Sequence, residues 1–460
     1  MKHRNLILVV ALILLIILAA CAPSAQQETP AAQQPTPAPQ QPAPSSQQPA
    51  PAPDPEPKDL GPLRIMWWGS QTRHDRTLAV LDLYTQETGV QFEPEFFGFD
   101  DYITKLNTLI AAADAPDIMQ MGGNFPTYID HIEFLNEYID RGIIDISNTD
   151  ESFIGITTLE GNVIGLSSGT NAPAIAYDPA LFEKAGVPLP HFNWTWEEFE
   201  NAVMTIHENL GILGTSQTQY NEFWVLTSII QQYDTNQSLF LEPHRLALNY
   251  TDDQYVVEYL EMVNRMVQAG AYPNPAQMAE VKDIEGDPLV RGEAAMTWIF
   301  SNQLVALAEA AGRPLSLAPM PRRTSDGPLA QTIMSSQMFT IYNQSEHKEA
   351  AAKFISFFAN SEHANLILKG ERGVPIMRHI RDALMPTLTP AQKEIYSYLT
   401  ELGKVASTNI VLDSPVQAEI RDIYNRLAEE VKFQRTTPAD AALRFREQTQ
   451  DALDRFNASR

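Results

Sequence analysis

Cysteine is almost missing from this chain: of 460 residues only Cys21 carries a thiol. No internal disulfide can form, so a folded core has to be self-sufficient without covalent cross-links. Basic residues are scarce as well, 32 Lys and Arg against 57 Asp and Glu, for a net charge of −25. A nucleic-acid surface needs clustered Lys and Arg against phosphate, and no such cluster is present. Catalytic signatures are also lacking. There is no His-Glu-x-x-His, Gly-x-Ser-x-Gly, phosphate loop or dinucleotide fingerprint. The acidic pairs Asp100-Asp101, Glu197-Glu198 and Glu429-Glu430 are sequence neighbours pointing in different directions, whereas a glycosidase needs two carboxylates about 5 to 9 Å apart across one cleft. His74 has no ligating neighbour at metal spacing, so neither a metal nor another cofactor is expected.

What is present begins at the N-terminus. Lys2, His3 and Arg4 precede an unbroken apolar run from Leu6 to Leu18, closed by Ala19-Ala20-Cys21. The run is short for a bilayer span and ends in small residues, which predicts a signal peptide over 1–20. The pattern resembles a bacterial lipobox, with Cys21 as the lipidated first residue of the mature chain. Residues 21–59 then hold the lipidated cysteine and a segment of Pro, Ala, Gln, Ser and Thr, with Gln-Gln pairs seven residues apart starting at Gln26, Gln33, Gln40 and Gln47. With no large apolar side chain to bury, it is expected to stay unfolded, and as polyproline II it would reach up to roughly 110 Å.

The folded part, from about Leu60, is too long for one core, so two lobes are expected. Leu63 to Trp68 reads as a buried strand, Gly69-Ser70 as a tight loop, and Leu78, Leu81 and Tyr84 as a helix face. Val90 to Phe96 alternates like an edge strand around Pro94. Tyr102 to Ala113 has helical spacing, and Ala115 to Met121 reads as a buried strand ending in the loop Gly122-Gly123-Asn124-Phe125. In open α/β sheets ligands sit at the carboxyl ends of strands. Two loops rich in indole, amide and hydroxyl groups at such ends suit a sugar, whose C–H faces stack on aromatic rings while its hydroxyls need hydrogen-bond partners. Thr195 and Glu198 form a capping box ahead of Phe199, Ala202, Val203 and Ile206, placing Trp194 and Trp196 in packing roles. Further helices are predicted after Asp252-Asp253 and Ser345, and with Pro415 and Pro438 at first helical positions.

Trp67-Trp68-Gly69 with Arg73-His74, followed by Ala115-Pro116-Asp117-Ile118-Met119-Gln120-Met121, resembles the extracellular solute-binding proteins, family 1, of carbohydrate ABC importers. The closest subgroup is linked to plant cell-wall oligosaccharides. Gly161 to Leu166, Ala176 to Gly186, Trp194 to Phe199, Arg291 to Met296, Leu317 to Pro321 and Glu371 to Pro375 continue the resemblance in order. The chain departs from the subgroup at Gly122-Gly123, where an acid often follows Gln-Met, and at Tyr233-Asp234, where the family usually has glycine. The resemblance implies an α/β, two-lobed, periplasmic-binding-protein-like (Venus flytrap) fold with three inter-lobe crossings, near 165–168, 315–319 and 360–374. Lobe 1 would combine 60–166 with 321–360, and lobe 2 would combine 167–320 with 361–460.

Ligand-binding candidates are Trp68, Gln71, Arg73 and His74 in the first loop, Asn124 and Phe125 in the second, and Asn171 after the first crossing. Asn221 and Trp224 lie in a polar-aromatic stretch after Gly214, and Trp298 and Asn302 follow the Ala-Ala-Met turn. Ser336 and Arg372 complete the set. The expected protein is a monomeric, lipid-anchored receptor on the extracytoplasmic face of the cell membrane that delivers an oligosaccharide or monosaccharide to ABC permease subunits, without catalysis. A secreted glycoside hydrolase or polysaccharide lyase, and a receptor for a non-sugar solute, are the competing readings.

Overall fold

The computed structural model describes residues 61–459, apart from 218–221, 234–238, 241–246, 251, 282–283 and 407–413. Cys21 and the Pro/Gln-rich stretch therefore lie outside the described residues. Among the described residues no helix is long and apolar enough to cross a membrane.

The chain opens as strand β1 (Leu63–Trp68), helix α1 (Gln71–Thr88), strand β2 (Phe92–Phe97), helix α2 (Phe99–Ala111) and strand β3 (Ile118–Met121). β1 lies between β2 and β3, parallel to both, and Pro94 on the outer strand β2 pairs with Ile65. An outer strand tolerates the amide hydrogen that proline lacks. The sheet continues through β4 (Ile132–Glu133), β5 (Leu166–Asn171) and, much later in the sequence, β9 (Met334–Tyr342). β9 runs antiparallel to β3, β4 and β5. A second sheet holds β6 (Pro173–Tyr177) between β7 (Met296–Phe300) and β8 (Ser316–Ala318), all antiparallel.

The side chains of β6 alternate between two cores. Ala172, Ala174 and Ala176 face the core that contains Trp67, Phe339 and Phe354, while Ile175 and Tyr177 face a second core around Phe199, Trp298 and Leu260. This second core is covered by α3 (Trp196–Leu210), α4 (Glu222–Tyr233) and α5 (Gln254–Gln268). The capping box at the start of α3 forms as expected, Thr195 accepting from the Glu198 amide and Glu198 from the Thr195 amide.

Strand pairing shows where the chain passes from one sheet to the other. Residues 167–171 complete the first sheet, because they pair with β9, and the chain changes sheets between Asn171 and Pro173. It returns between Ala318 and Met334. Beyond α6 (Lys348–Asn360), residues 361–374 stay with the first sheet. There α7 (Glu362–Leu368) packs on α1, and Arg76 donates to the Leu368 carbonyl at 2.8 Å. Burial of Ala364 and Leu368 in the first core holds them there. Helix α8 (Pro390–Gly403) touches both β8 and the first core, and only α9 (Gln417–Lys432) and α10 (Pro438–Ala458) rejoin the second body against α5. Pro438 opens α10 as expected, whereas α9 starts two residues after Pro415.

Residues 371–374 are stitched to β5 by backbone bonds in both directions between Thr170 and Val374, at 2.9 and 3.0 Å. Gly169 permits this approach: a Cβ there would lie 2.2 Å from the Arg372 carbonyl oxygen. Gly169→Ala should therefore destabilise the protein by roughly 1–3 kcal/mol, seen as a lower Tm. Gly123→Ala, outside the left-handed region and with open space around the glycine, should change it little. Equal Tm values for the two variants would contradict the close contact.

Candidate functional site

The register of the first sheet decides where a ligand can be met. β1 and β3 end side by side, and β9 starts beyond the end of β3, since Met338 pairs with Met121. β5 ends opposite the start of β9, Asn171 against Met334. One sheet edge thus collects Trp68, Gly122 to Asn124, Asn171 and Met334 to Ser336. The first residues of the second sheet follow directly, with Ser301 bonded to Ala172 through amide and hydroxyl at 2.8 and 3.1 Å. That contact brings exposed Asn302 beside the crossing.

Trp68 is half-buried. Its indole meets Tyr102 at 4.9 Å and Phe99 edge-on at 5.4 Å, and lies in van der Waals reach of Gly122. Phe99, the first residue of α2, is half exposed and lies on the same edge as Trp68. The sequence reading missed it, although an aromatic at a helix start directly after a predicted strand was a usable signal. Met334, exposed at the start of β9, was missed for lack of any local pattern.

The backbone behind Trp68 is held by polar contacts. Its carbonyl accepts from Gln120 Nε2 at 3.0 Å and from Arg73 Nη1 at 3.1 Å. Arg73 Nε is shared between the two Glu371 oxygens at 3.0 and 2.9 Å. Beneath them Arg372 donates to Thr77 Oγ1 at 2.9 Å and to Gln120 Oε1 at 3.3 Å. Burial first, and then the charge of Arg73, push the Arg372 guanidinium below its ordinary value, with Glu371 opposing.

Register shifts between Ser335 and Gln337 make a β-bulge opposite β5. Bulges re-aim a side chain out of its pleat. Here the Ser336 hydroxyl accepts from Asn171 Nδ2 at 3.1 Å, next to Gly373. Asn124 turns its carbonyl oxygen onto the Gly122 amide at 3.0 Å, while its Nδ2 is buried without a hydrogen-bond partner. The edge therefore offers indole and phenyl faces beside amide and hydroxyl groups. Among the described residues no cluster of His, Cys, Asp and Glu fit to hold a metal ion occurs.

A family model of the bacterial extracellular solute-binding proteins matches residues 72–365. The chain belongs to this family. An arabinooligosaccharide-binding protein of Halalkalibacterium halodurans is 21% identical over 60% of this chain; the match spans 62% of that relative's length. Among solved structures, an extracellular solute-binding protein family 1 member from Alicyclobacillus acidocaldarius is 25% identical with a TM-score of 0.76, covering 86% of this chain and 100% of that one. A periplasmic oligogalacturonide-binding protein from Yersinia enterocolitica superposes with a TM-score of 0.72 at 22% identity, covering 86% and 99%. The α/β fold of this solute-binding protein is thus the periplasmic-binding-protein-like fold expected from its sequence.

Several sequence candidates are used up inside the solute-binding protein. His74 lies on the inward stripe of α1 with Thr77, Leu81 and Tyr84; its Nδ1 accepts from Trp67 Nε1 at 3.1 Å and its ring stacks on Phe96 at 4.5 Å. Phe125 is buried in the core beside Met66 and Tyr102. Trp298 sits mid-strand in β7, 2% exposed and stacked on Trp196 at 6.1 Å. Arg372 is buried as described, so it supports the site from beneath. Gln71 is exposed on α1 and donates to Asp75. Trp224 is half-buried in the first turn of α4, against the second core, and Asn221 lies outside the described residues. Trp68, Arg73, Asn124, Asn171, Asn302 and Ser336 remain at or beside the edge.

Desolvation is the main cause that lowers the His74 pKa, with Arg73 adding to it. The folded protein therefore keeps His74 neutral at a pH where the unfolded chain, with an ordinary value near 6.5, already binds a proton. Its contribution to stability is complete above about 6.5 and is lost as pH falls below it. The Tm advantage of the wild type over His74→Gln should accordingly shrink between pH 8 and pH 5. A gap that stays constant with pH would show that His74 is not held neutral.

Proposed function

We propose that this chain is the substrate-binding component of an ABC importer. It captures an oligosaccharide between its two sheet-based bodies by aromatic stacking and hydrogen bonds, and hands it unchanged to a membrane permease. The observation that carries this reading is the shared edge of the first sheet, where Trp68 and Phe99 present aromatic faces beside Asn171, Ser336 and Asn124. Sugar C–H surfaces stack on such rings, and amides and hydroxyls both donate and accept toward ring hydroxyls. The arabinooligosaccharide and oligogalacturonide receptors among the relatives support the same ligand class.

No bond chemistry is assigned to the site. The carboxylate behind Trp68, Glu371, is engaged by Arg73, so it is not free to serve as one of the two groups that glycoside hydrolysis requires. The protein would act as a monomer tethered through lipid on Cys21, outside the cytoplasmic membrane. The first lobe would comprise 61–171 with 334–377, the second 173–318 with 414–459, and α8 would lie across the two.

Arabino-oligosaccharides and oligogalacturonides are the panel to test by thermal shift with product analysis. A bound sugar at 100 times its dissociation constant adds about 2.7 kcal/mol to stability, so a clear Tm rise with unchanged sugar is expected. Trp68→Ala should remove most of that rise, measured from its own ligand-free Tm, which is expected to drop modestly because the half-buried indole packs on Tyr102. Turnover of the sugar, or a full Tm rise in Trp68→Ala, would overturn the proposal.

A further inference from the structure

We propose that a second site, for a small organic cation, lies in the second body where α3, α4 and α5 meet. A cavity of about 300 Å³ opens there, and none of the strand-edge residues lines it. This volume is at the lower end of the range that small molecules occupy. Its walls include the rings of Trp196, Tyr233 and Tyr259, with Ile229 and Met262 beside them. Trp196 is fixed in place: the indole stacks parallel to buried Trp298, and its N–H donates to Gln232 Oε1 at 2.9 Å.

Charge selects the ligand. Glu197, Glu200, Glu258 and Glu261 line the cavity against only Arg265 and Arg323. Arg265 is committed to Glu200 through two bonds of 2.7 and 2.8 Å. An anion would be repelled, and a neutral molecule would gain no charge attraction from the excess carboxylates. Aromatic faces ringed by carboxylates attract ammonium and guanidinium groups.

A second observation points the same way. The Arg323 guanidinium already sits 3.9 Å above the Tyr233 ring, which is backed by Tyr255 stacked at 4.2 Å. The protein has thus laid one of its own cations on this wall, from an exposed position in the connection between β8 and β9. A free cation would compete with it for the ring. The wall is also joined to that connection from the other side, since Gln232 Nε2 donates to the Pro321 and Leu329 carbonyls at 2.8 and 2.9 Å.

Isothermal titration of the folded domain with choline, and with its neutral isostere 3,3-dimethylbutan-1-ol, tests the assignment. Choline should bind saturably and the alcohol should not. Glu258→Gln with Glu261→Gln, both exposed positions, should weaken choline by roughly fivefold or more, and Arg323→Ala should strengthen it by vacating the Tyr233 face. Absence of saturation with both wild type and Arg323→Ala, equal binding of the alcohol, or indifference to the Glu→Gln pair would each overturn the site. None of these variants touches the strand edge, so a sugar-induced Tm rise should persist in all of them, which separates failure here from failure of the receptor reading.

Discussion

The antiparallel placement of β9 is the constraint on which the rest of the molecule depends. β1 and β3 are parallel strands that end at one edge of their sheet. β9 enters beside β3 in the opposite sense, so its beginning, not its end, falls at that same edge, and β5 pairs back along it so that its end arrives there too. Four chain segments far apart in sequence deliver their loops to one line. A parallel β9 would have sent Met334 to Ser336 to the far side and left Asn171 without the bulged serine it bonds.

Behind this edge a buried polar cluster holds the aromatic platform rigid. Gln120 and Arg73 both donate to the Trp68 carbonyl, Glu371 aligns Arg73, and Arg372 braces Gln120 and Thr77. Two guanidiniums share one carboxylate, an arrangement that would be costly in a dry core. It persists because peptide carbonyls and the rings of Phe339 and Phe358, 5.6 and 5.4 Å from the Arg372 guanidinium, take up part of the excess charge. A fixed strand end lowers the ordering cost that a ligand would otherwise meet on binding.

Local signals in the sequence were enough for the elements and for the fold. The Leu63–Trp68 strand, the edge character conferred by Pro94, the Thr195 capping box and the inward apolar face of α3 all follow from short-range rules of period and capping, and the structure has each of them. The site was only half legible. Trp68, Asn171 and Ser336 could be named because they sit at strand ends or in family-like motifs, but His74 and Arg372 were misplaced, since the same polar side chain reads alike whether it faces a ligand or a neighbouring helix. Only the helical stripe through 74, 77, 81 and 84 distinguishes the two for His74, and it runs past the loop where the eye stops. The bulge at Ser336 and the return of residues 361–374 to α1 depend on partners more than 150 residues away, which no local pattern encodes.

The link between the two bodies runs through β6. β6 carries alanines toward one core and Ile175 and Tyr177 toward the other, so a strand five residues long belongs to both. Small side chains on the first-core side leave room for α8, whose Tyr398 donates to the Pro173 carbonyl at 2.6 Å, and Gln331 bonds both that tyrosine and the same carbonyl. Large side chains of the second sheet and its flank, Ile299, Leu304, Leu307 and Leu317, are buried in the same core as Phe339 and Phe354, so the joint is packed as well as hydrogen-bonded. A ligand that touches only Trp68 and Asn124 would bind open and closed forms alike and shift nothing. In the proposed receptor, closure would have to come from a ligand that reaches Asn171 and Ser336 on the first sheet and Asn302 beyond the crossing at the same time.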